Sequence, residues 1–117
     1  MKKLTVLHYT YNKESKKTES NLIEVEDTLA NLQKLVDGSI EIYPLTNNIM
    51  LVCNDEGKMI DLPLTAIALS EFSSIPEYIV GDFFVCRRHG EDLTSLKLID
   101  ISTVQKRVIP IDKIKKH

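Results

Sequence analysis

The 117-residue chain lacks the long apolar run that a membrane-spanning helix needs. Such a helix takes roughly 20 consecutive apolar residues, whereas the apolar segment near the N-terminus covers only 4–7 and ends at His8. This segment is also too short for the hydrophobic region of a secretory signal peptide. We therefore expect a cytoplasmic protein with no part in a membrane.

The chain also lacks a strong excess of either charge. Its formal net charge is -2, from 15 Lys and Arg against 17 Asp and Glu. Binding of nucleic acid through counterion release needs a basic surface, and a protein that mimics DNA needs many more carboxylates. The composition, 43% hydrophobic and 27% charged, is typical of a globular protein. These values predict one domain over 1–117 and disfavour nucleic acid as a partner.

Cysteine is scarce and forms no recognisable motif. Only Cys53 and Cys86 occur, and no Cys-x-x-Cys is present. Each follows strand-like apolar residues, so two buried, reduced thiols are the simplest interpretation. A disulfide between them and a redox site are the alternatives.

Motifs for metals, phosphates and catalysis are missing as well. The three histidines are scattered, with no His-Glu-x-x-His. The stretch 54–57, Asn-Asp-Glu-Gly, is far shorter than the loop of about 12 residues that holds calcium in an EF-hand. The four glycines are isolated, so no glycine-rich phosphate cradle exists. The sequence predicts no metal, no cofactor and no assignable catalytic residue.

The apolar residues that are present predict an α+β fold, a single domain with a mostly antiparallel sheet. The stretch 12–20 is wholly polar and is predicted to be a flexible loop, and 113–117 a lysine-rich tail. Strands are expected at 3–10, 21–26, 39–43, 49–53, 58–60, 77–80, 83–86 and 108–111. Gly81, between the sixth and seventh of these, indicates a bend, a bulge or a close backbone approach.

Two short helices are expected, at about 28–37 and about 63–70. The first has N-cap chemistry at Thr28 and a glycine, Gly38, at its end. The second has Pro63 in its first turn, and a further short helix at 100–107 remains open. The packed stripe of the first helix is predicted to contain Val25, Leu29, Leu32 and Val36, with Leu35 beside it.

The tetrapeptide 54–57 with the following Lys58 admits two interpretations. Its chemistry fits the tip of a hairpin between 49–53 and 58–60, with Gly57 in the left-handed conformation; Gly38 is expected to adopt the same conformation. Two carboxylates, an amide and a lysine within five residues also fit a ligand loop. The sequence favours an architectural role for Asn54 and Gly57.

The pair Arg87-Arg88 is the densest positive cluster in the chain. Arginine binds phosphate and carboxylate groups bidentately, although the neighbouring acidic pair 91–92 could neutralise it. Adjacent strand residues face opposite sides, so the two arginines cannot address one small ligand. The candidate contacts with a ligand or partner are Gln33, Glu41, Tyr43, Asn54, Glu56, Lys58 and Arg87.

Over half to two-thirds of the chain, several motifs combine. They are Leu-x-x-Leu-Gln-x-x-Val, Ile-Glu, Asn-Asp-Glu-Gly-Lys, Leu-Pro and Val-Gly-Asp. The combination resembles a family of small proteins from phages, plasmids and bacterial mobile elements whose domain has no known function. Two positions depart from it, because Thr65 stands where the family usually has Asn and Asp37 where a second Gly is common. The matching residues are Leu29, Leu32, Gln33, Val36, Gly38, Ile40, Glu41, Asn54, Glu56, Gly57, Lys58, Leu62, Pro63, Gly81 and Asp82.

The resemblance implies an accessory protein of a mobile element in the bacterial cytoplasm. By analogy with small non-enzymatic phage proteins, we expect it to counteract host defence by binding a host protein or by sequestering a small nucleotide-like signal. A homodimer is a further expectation. The alternative hypothesis is a small nucleotide-processing hydrolase that uses Glu56 or Asp55 as general base.

Overall fold

Nine strands and two short α-helices form the part of the chain that the computed structural model describes, residues 2–111. The predicted lysine-rich tail, 113–117, lies outside the described residues. In chain order the elements are β1 (Lys3–Asn12), β2 (Lys17–Glu26), α1 (Leu29–Val36), β3 (Ile40–Pro44), β4 (Ile49–Asn54), β5 (Leu64–Ala68), β6 (Glu77–Val80), β7 (Phe83–His89), β8 (Asp92–Thr94), a 3-10 turn (Leu98–Asp100), α2 (Ile101–Arg107) and β9 (Val108–Pro110).

The strands form two sheets. The larger sheet has the order β2-β1-β7-β4-β3, with β8 beside the end of β7, and the smaller sheet has the order β6-β5-β9. All strand pairs are antiparallel. The predicted α+β class, a single domain with mostly antiparallel strands, is confirmed.

The larger sheet is covered on both faces, by different kinds of structure. Because neighbouring strand residues alternate between faces, adjacent side chains enter different cores. Phe84 packs with Leu32 and Val36 of α1, on what we call the helix-covered face. Phe83 packs with Ala66 and the other apolar residues of the smaller sheet and α2, on the sheet-covered face.

The boundaries of α1 follow local chemistry, with one correction. At its start the Thr28 hydroxyl accepts a hydrogen bond from the Asn31 N–H at 3.2 Å. At its end Asp37, not Gly38, adopts the left-handed conformation, with φ 58°. Gly38 is required for space, since a Cβ there would lie 2.6 Å from Nδ2 of Asn54. Leu29 was predicted to be in the packed stripe and is instead 60% exposed.

The predicted loop 12–20 is wrong over its second half, because 17–20 belongs to β2. The turn itself is short, and the Asn12 side chain accepts hydrogen bonds from the N–H groups of Glu14 and Ser15. Residues of β2 then pair with β1 without interruption, from Lys17 opposite Asn12 to Glu26 opposite Lys3. A polar composition does not prevent a strand from forming at the edge of a sheet, where much of it faces solvent.

The predicted helix at 63–70 is also wrong: 64–68 is strand β5. Short apolar runs fit a helix or a buried strand equally well by pattern. The decisive interactions are distant in sequence, because β5 is the central strand of the smaller sheet, between β6 and β9. The second α-helix is α2, at the position that the sequence left open.

The predicted strand at 58–60 is a turn. Two hydrogen bonds within 56–62 form this turn. The Ile60 N–H donates to the Glu56 carbonyl and the Leu62 N–H donates to the Gly57 carbonyl, both at 3.0 Å. Asp61 provides the left-handed residue, with φ 60°, and Gly57 does not. The stretch 54–58 therefore begins a compact turn between the two sheets and is not a hairpin tip.

The two cysteines lie on opposite faces of the larger sheet. Cys86 belongs to the helix-covered core and Cys53 packs against the sheet-covered one, and both are free. A disulfide between them is therefore not formed. In the described part of the chain, no helix is long and apolar enough to cross a membrane.

Candidate functional site

A groove of about 310 Å³ lies at the margin of the sheet-covered face, between edge strand β3 and edge strand β6. It forms because the smaller sheet has only three strands and leaves the β3 side of the six-stranded sheet uncovered. The turn 55–61 closes one end. Its lining residues are Glu41, Tyr43, Cys53, Asn54, Asp55, Lys58, Met59, Glu77, Tyr78, Ile79 and Val80.

Four of the seven candidate contacts come together at this groove. Glu41 and Tyr43 face it from β3, Asn54 borders it at the end of β4, and Lys58 reaches it from the turn. Glu41 and Tyr43 share a face because they are two residues apart on one strand.

The other three candidates lie elsewhere. Gln33 is on α1, which covers the opposite face of the larger sheet. Glu56 is exposed in the turn and is not a lining residue. Arg87 is on β7, where its side chain is paired with Asp100. The sequence could not separate these positions, because their placement depends on how distant strands pair.

Lys58 is neutralised inside the groove by Glu77, a residue of β6. The hydrogen bond to Glu77 raises the pKa of the Lys58 ammonium above its ordinary value. This ion pair joins the turn 55–61 to the smaller sheet across the groove. Both side chains are substantially exposed, so the pair contributes little to the stability of the fold.

Cys53 lies in the groove as a protonated thiol. Burial, followed by the negative charges of Glu41 and Glu77, raises its pKa to about 11. The thiolate is the nucleophilic form of cysteine, and a pKa this high leaves almost none of it at neutral pH. In this protonated form Cys53 supplies a small apolar surface to the groove.

The Asn54 side chain is fully used in holding the fold. Its Nδ2 donates to the carbonyls of Val36 and Asp37, at 3.1 and 3.0 Å, and its Oδ1 accepts from the Glu56 N–H at 2.8 Å. The carbonyls at the end of a helix need partners from outside the helix. Asn54 thus caps α1 and fixes the start of the turn.

Other residues of the recognised motifs are held in place by close packing. A Cβ at Gly57 would lie 2.8 Å from Cγ2 of Val80, and one at Gly81, whose φ is 74°, would lie 2.6 Å from Cδ1 of Leu62. Of the three alternatives predicted for Gly81, a close approach is the one that this contact fits, with the Leu62 side chain against the Gly81 backbone. Thr65, at the position of the family's Asn, is buried, and its hydroxyl donates to the Gly81 carbonyl at 2.7 Å.

Arg87 forms a bidentate ion pair with Asp100, in which Nε and Nη2 donate at 2.7 and 3.1 Å. Its partner is thus the residue before α2 and not the acidic pair 91–92. Burial by itself raises the pKa of the Asp100 carboxyl. The hydrogen bonds from Arg87 and from the Lys97 N–H outweigh burial, so the pKa lies below its ordinary value.

Met59, Glu77 and Tyr78 line the groove and were not among the sequence candidates. Met59 is 84% exposed and Tyr78 is 58% exposed, which is unusual for large apolar side chains. In the sequence, Met59 and Tyr78 look like ordinary strand residues. No local pattern indicates that Glu77 lies opposite Lys58. Among the described residues, no group of three or more His, Cys, Asp and Glu side chains could hold a metal ion.

Fold and site together define a small α+β domain with an acidic, aromatic-lined groove between two edge strands. Residues 10–109 match the family model DUF3846, described as a domain of unknown function, and the chain belongs to that family. Searches of the curated proteins and of the solved structures found no match.

Proposed function

We propose that this protein is a small non-enzymatic binding protein of a phage or other mobile element, which acts in the bacterial cytoplasm against host defence. The mobile-element setting rests on the resemblance of the sequence motifs. In this proposal the partner is a host protein and the groove between β3 and β6 is its binding site. The observation that carries the choice of partner is the charge of the groove.

Carboxylates outnumber cations in the groove. Glu41, Asp55 and Glu77 line it, and of the described residues only Lys58 brings a positive charge. That lysine is already paired with Glu77. A nucleotide signal carries phosphates, which need basic or backbone N–H donors. The groove opposes such a ligand and favours one with a positive charge.

The apolar residues of the groove fit the same kind of ligand. Tyr78 offers an exposed ring, and a cation above a tyrosine ring is attracted to it. Met59 is an adaptable side chain that suits a variable partner surface. An arginine or lysine of the host protein could lay its aliphatic stem along these two residues and direct its charge toward Glu41.

The hydrolase alternative receives no support from this geometry. Glu56 is exposed and outside the groove, and Asp55 lines the groove but is itself exposed. A general base must lie within hydrogen-bond reach of the proton that it removes.

The test is a titration of the ¹⁵N-labelled protein with arginine-containing and lysine-containing peptides, followed by NMR. We expect saturable shifts confined to residues of β3, β6 and the turn 55–61. Glu41→Lys should abolish them. Glu91→Lys is the matched control, because Glu91 is equally acidic and exposed but lies in the β7–β8 turn.

The nucleotide version is tested in the same way with cyclic dinucleotides and ADP-ribose by calorimetry. Saturable nucleotide binding that Glu41→Lys strengthens would contradict the proposal. So would equal loss of peptide binding in Glu41→Lys and Glu91→Lys. A host protein captured from bacterial lysate counts as the partner only if the first variant loses it and the second retains it.

A further inference from the structure

Strand β2 presents a long free edge, independent of the groove. It pairs with β1 on one side over ten residues without a bulge, and it is the outermost strand of the larger sheet. No proline or glycine interrupts it. An edge of this kind is a template for pairing with another strand.

The other edge strands of the described chain are short. β3 has five residues and ends in Pro44, β6 has four, and β8 and β9 have three each. Short edges and prolines are common ways in which proteins avoid unwanted strand pairing. β2 is neither short nor interrupted by proline, which sets it apart from the other edges.

The direction of the free backbone groups follows from the bonds of β1. The Thr5 N–H donates to the Ser95 hydroxyl, the Thr5 carbonyl accepts from the Leu96 N–H, and the Tyr11 N–H donates to Asp82. Odd-numbered residues of β1 therefore point their backbone groups away from β2. The even-numbered residues of β1 bond to β2. In the register of the two strands, they lie opposite the odd-numbered residues of β2.

Even-numbered residues of β2 consequently direct their N–H and C=O groups outward, because an antiparallel strand alternates its bonding sides. The exposed residues of this set are Ser20, Leu22 and Glu24, whereas Thr18 is buried and its hydroxyl donates to the Thr65 carbonyl. Leu22 is also 47% exposed. A second strand that reaches this edge meets a row of unpaired donors and acceptors with an apolar side chain in the middle.

We infer that β2 pairs antiparallel with β2 of a second copy of this chain, about a two-fold axis at Leu22. Leu22 then lies opposite the partner's Leu22, and Ser20 lies opposite the partner's Glu24. Lys17 lies opposite the partner's Asp27, the residue that follows β2. Opposite charges and apolar pairs across strands are stabilising.

Other registers fit less well. A shift of the register by one residue would place the outward-pointing backbone groups of one β2 opposite residues of the other β2 whose backbone groups already bond to β1. The alternation along a strand excludes such a pairing. An axis at Ile23 places Glu19 opposite the partner's Asp27, two like charges. An axis at Asn21 separates the two Leu22 side chains. Only the axis at Leu22 combines free backbone groups, an apolar centre and opposite charges at both ends.

In this dimer both grooves remain open, because β3 is at the far edge of the larger sheet from β2. The two copies then form one continuous sheet with a groove at each end. A partner that offers two sites would bind such a dimer more tightly than it binds one copy, without any new contact.

The test combines sedimentation equilibrium with amide hydrogen exchange on the full chain. We expect a monomer–dimer equilibrium, with the amides of Ser20, Leu22 and Glu24 becoming protected as the protein concentration rises. The amides of Asn21 and Ile23 should be protected at every concentration, because they bond to β1. This alternation distinguishes edge pairing from any other dimer.

Leu22→Lys is the diagnostic variant. It sets two lysines opposite each other at the axis, and like-charge juxtaposition should weaken self-association at least about tenfold. Leu29→Lys is the control, since Leu29 is also an exposed leucine but lies on α1, and it should leave the dimer unchanged. A monomer at all concentrations, exchange of Leu22 that is independent of concentration, or a dimer that survives Leu22→Lys would overturn the inference. None of these outcomes bears on the groove, which the peptide titration tests separately.

Discussion

The two faces of the larger sheet are covered by different means. One is covered by α1, a single helix formed by neighbouring residues of the chain. The other is covered by β5, β6, β9 and α2, which come from distant parts of the sequence. The helix-covered face is sealed at its margin by Asn54. The sheet-covered face is left open beside β3, and the candidate site is found there.

The difference indicates how a binding groove can arise without a dedicated loop. Three short strands are too narrow to cover six, so a strip of the larger sheet stays accessible between two edge strands. Successive side chains of a strand point to opposite faces. The polar residues Glu41 and Tyr43 of β3 share one face and line that strip. On the helix-covered side, Asn54 at the end of β4 is used to hold the end of α1.

The largest effects should come from two adjacent phenylalanines that enter different cores. Phe83 and Phe84 are fully buried, and each change to Ala should lower the free energy of unfolding by about 3–5 kcal/mol. Phe83→Ala should cost about 1 kcal/mol more, because Phe83 also stacks on Tyr9 with ring centroids 4.4 Å apart. Urea denaturation followed by circular dichroism measures both.

Phe72→Ala is the control for these two variants. Phe72 is 59% exposed, so its loss should change the stability by less than about 0.5 kcal/mol. If Phe84→Ala proved harmless while Phe83→Ala did not, the helix-covered side would not be the second core that the structure shows.

Intermediate effects should separate the polar anchors of the two faces. Asn54→Ala leaves two carbonyls of α1 and one N–H without partners and should cost about 3 kcal/mol. Thr65→Val removes one hydroxyl on the sheet-covered side and keeps the shape, so it should cost only about 1 kcal/mol. Both are measured by urea denaturation, with Asn48→Ala, an exposed loop position, as control. Equal losses for Asn54→Ala and Thr65→Val would show that the capping of α1 is not what stabilises its face.

The smallest effect should be the pH dependence of the ion pair between Arg87 and Asp100, on the sheet-covered side. The pKa of Asp100 is lower in the folded protein than its ordinary value. Its contribution, about 1.5 kcal/mol, is therefore complete above about pH 4, the ordinary range of an aspartate. It is lost as the pH falls through the folded-state pKa, because the unfolded chain binds the proton more readily.

The variant Asp100→Asn should accordingly lie below the wild type in stability at pH 6 and approach it in strong acid. Urea midpoints measured from neutral to acidic pH give this difference directly. A difference that stays constant down to about pH 2, below the ordinary pKa range of a carboxylate, would contradict the assignment of the carboxylate as the titrating group. Asp92→Asn, in an exposed strand end, is the control and should show no such convergence.

Local patterns predicted the elements whose stability is local. The helix predicted at about 28–37 and the continuous apolar strand predicted at 49–53 correspond to α1 and β4. The same method misassigned 64–68, because Leu-Thr-Ala-Ile-Ala has no decisive period and becomes a strand only between β6 and β9. It also missed 17–20, because an edge strand can be polar throughout.

The residues of the candidate site divide in the same way, into those that local patterns predicted and those whose place depends on distant contacts. Glu41, Tyr43 and Lys58 were chosen as polar residues on predicted strands and turns, and they line the groove. Gln33 and Arg87 were chosen on equal grounds and lie elsewhere. Glu77 and Tyr78 were missed because their importance comes from facing residues about 20–35 positions earlier in the chain.

By itself, the sequence determined the α+β class, the helix α1 and its N-cap, and the near-neutral charge. Each depends on residues within a few positions of one another or on composition alone. Tertiary structure decided which strands pair, where the cover of the larger sheet ends, and therefore which carboxylates meet at one groove. The physical reason is that strand pairing is a contact between distant segments, and burial on both sides, not local preference, chooses the partner.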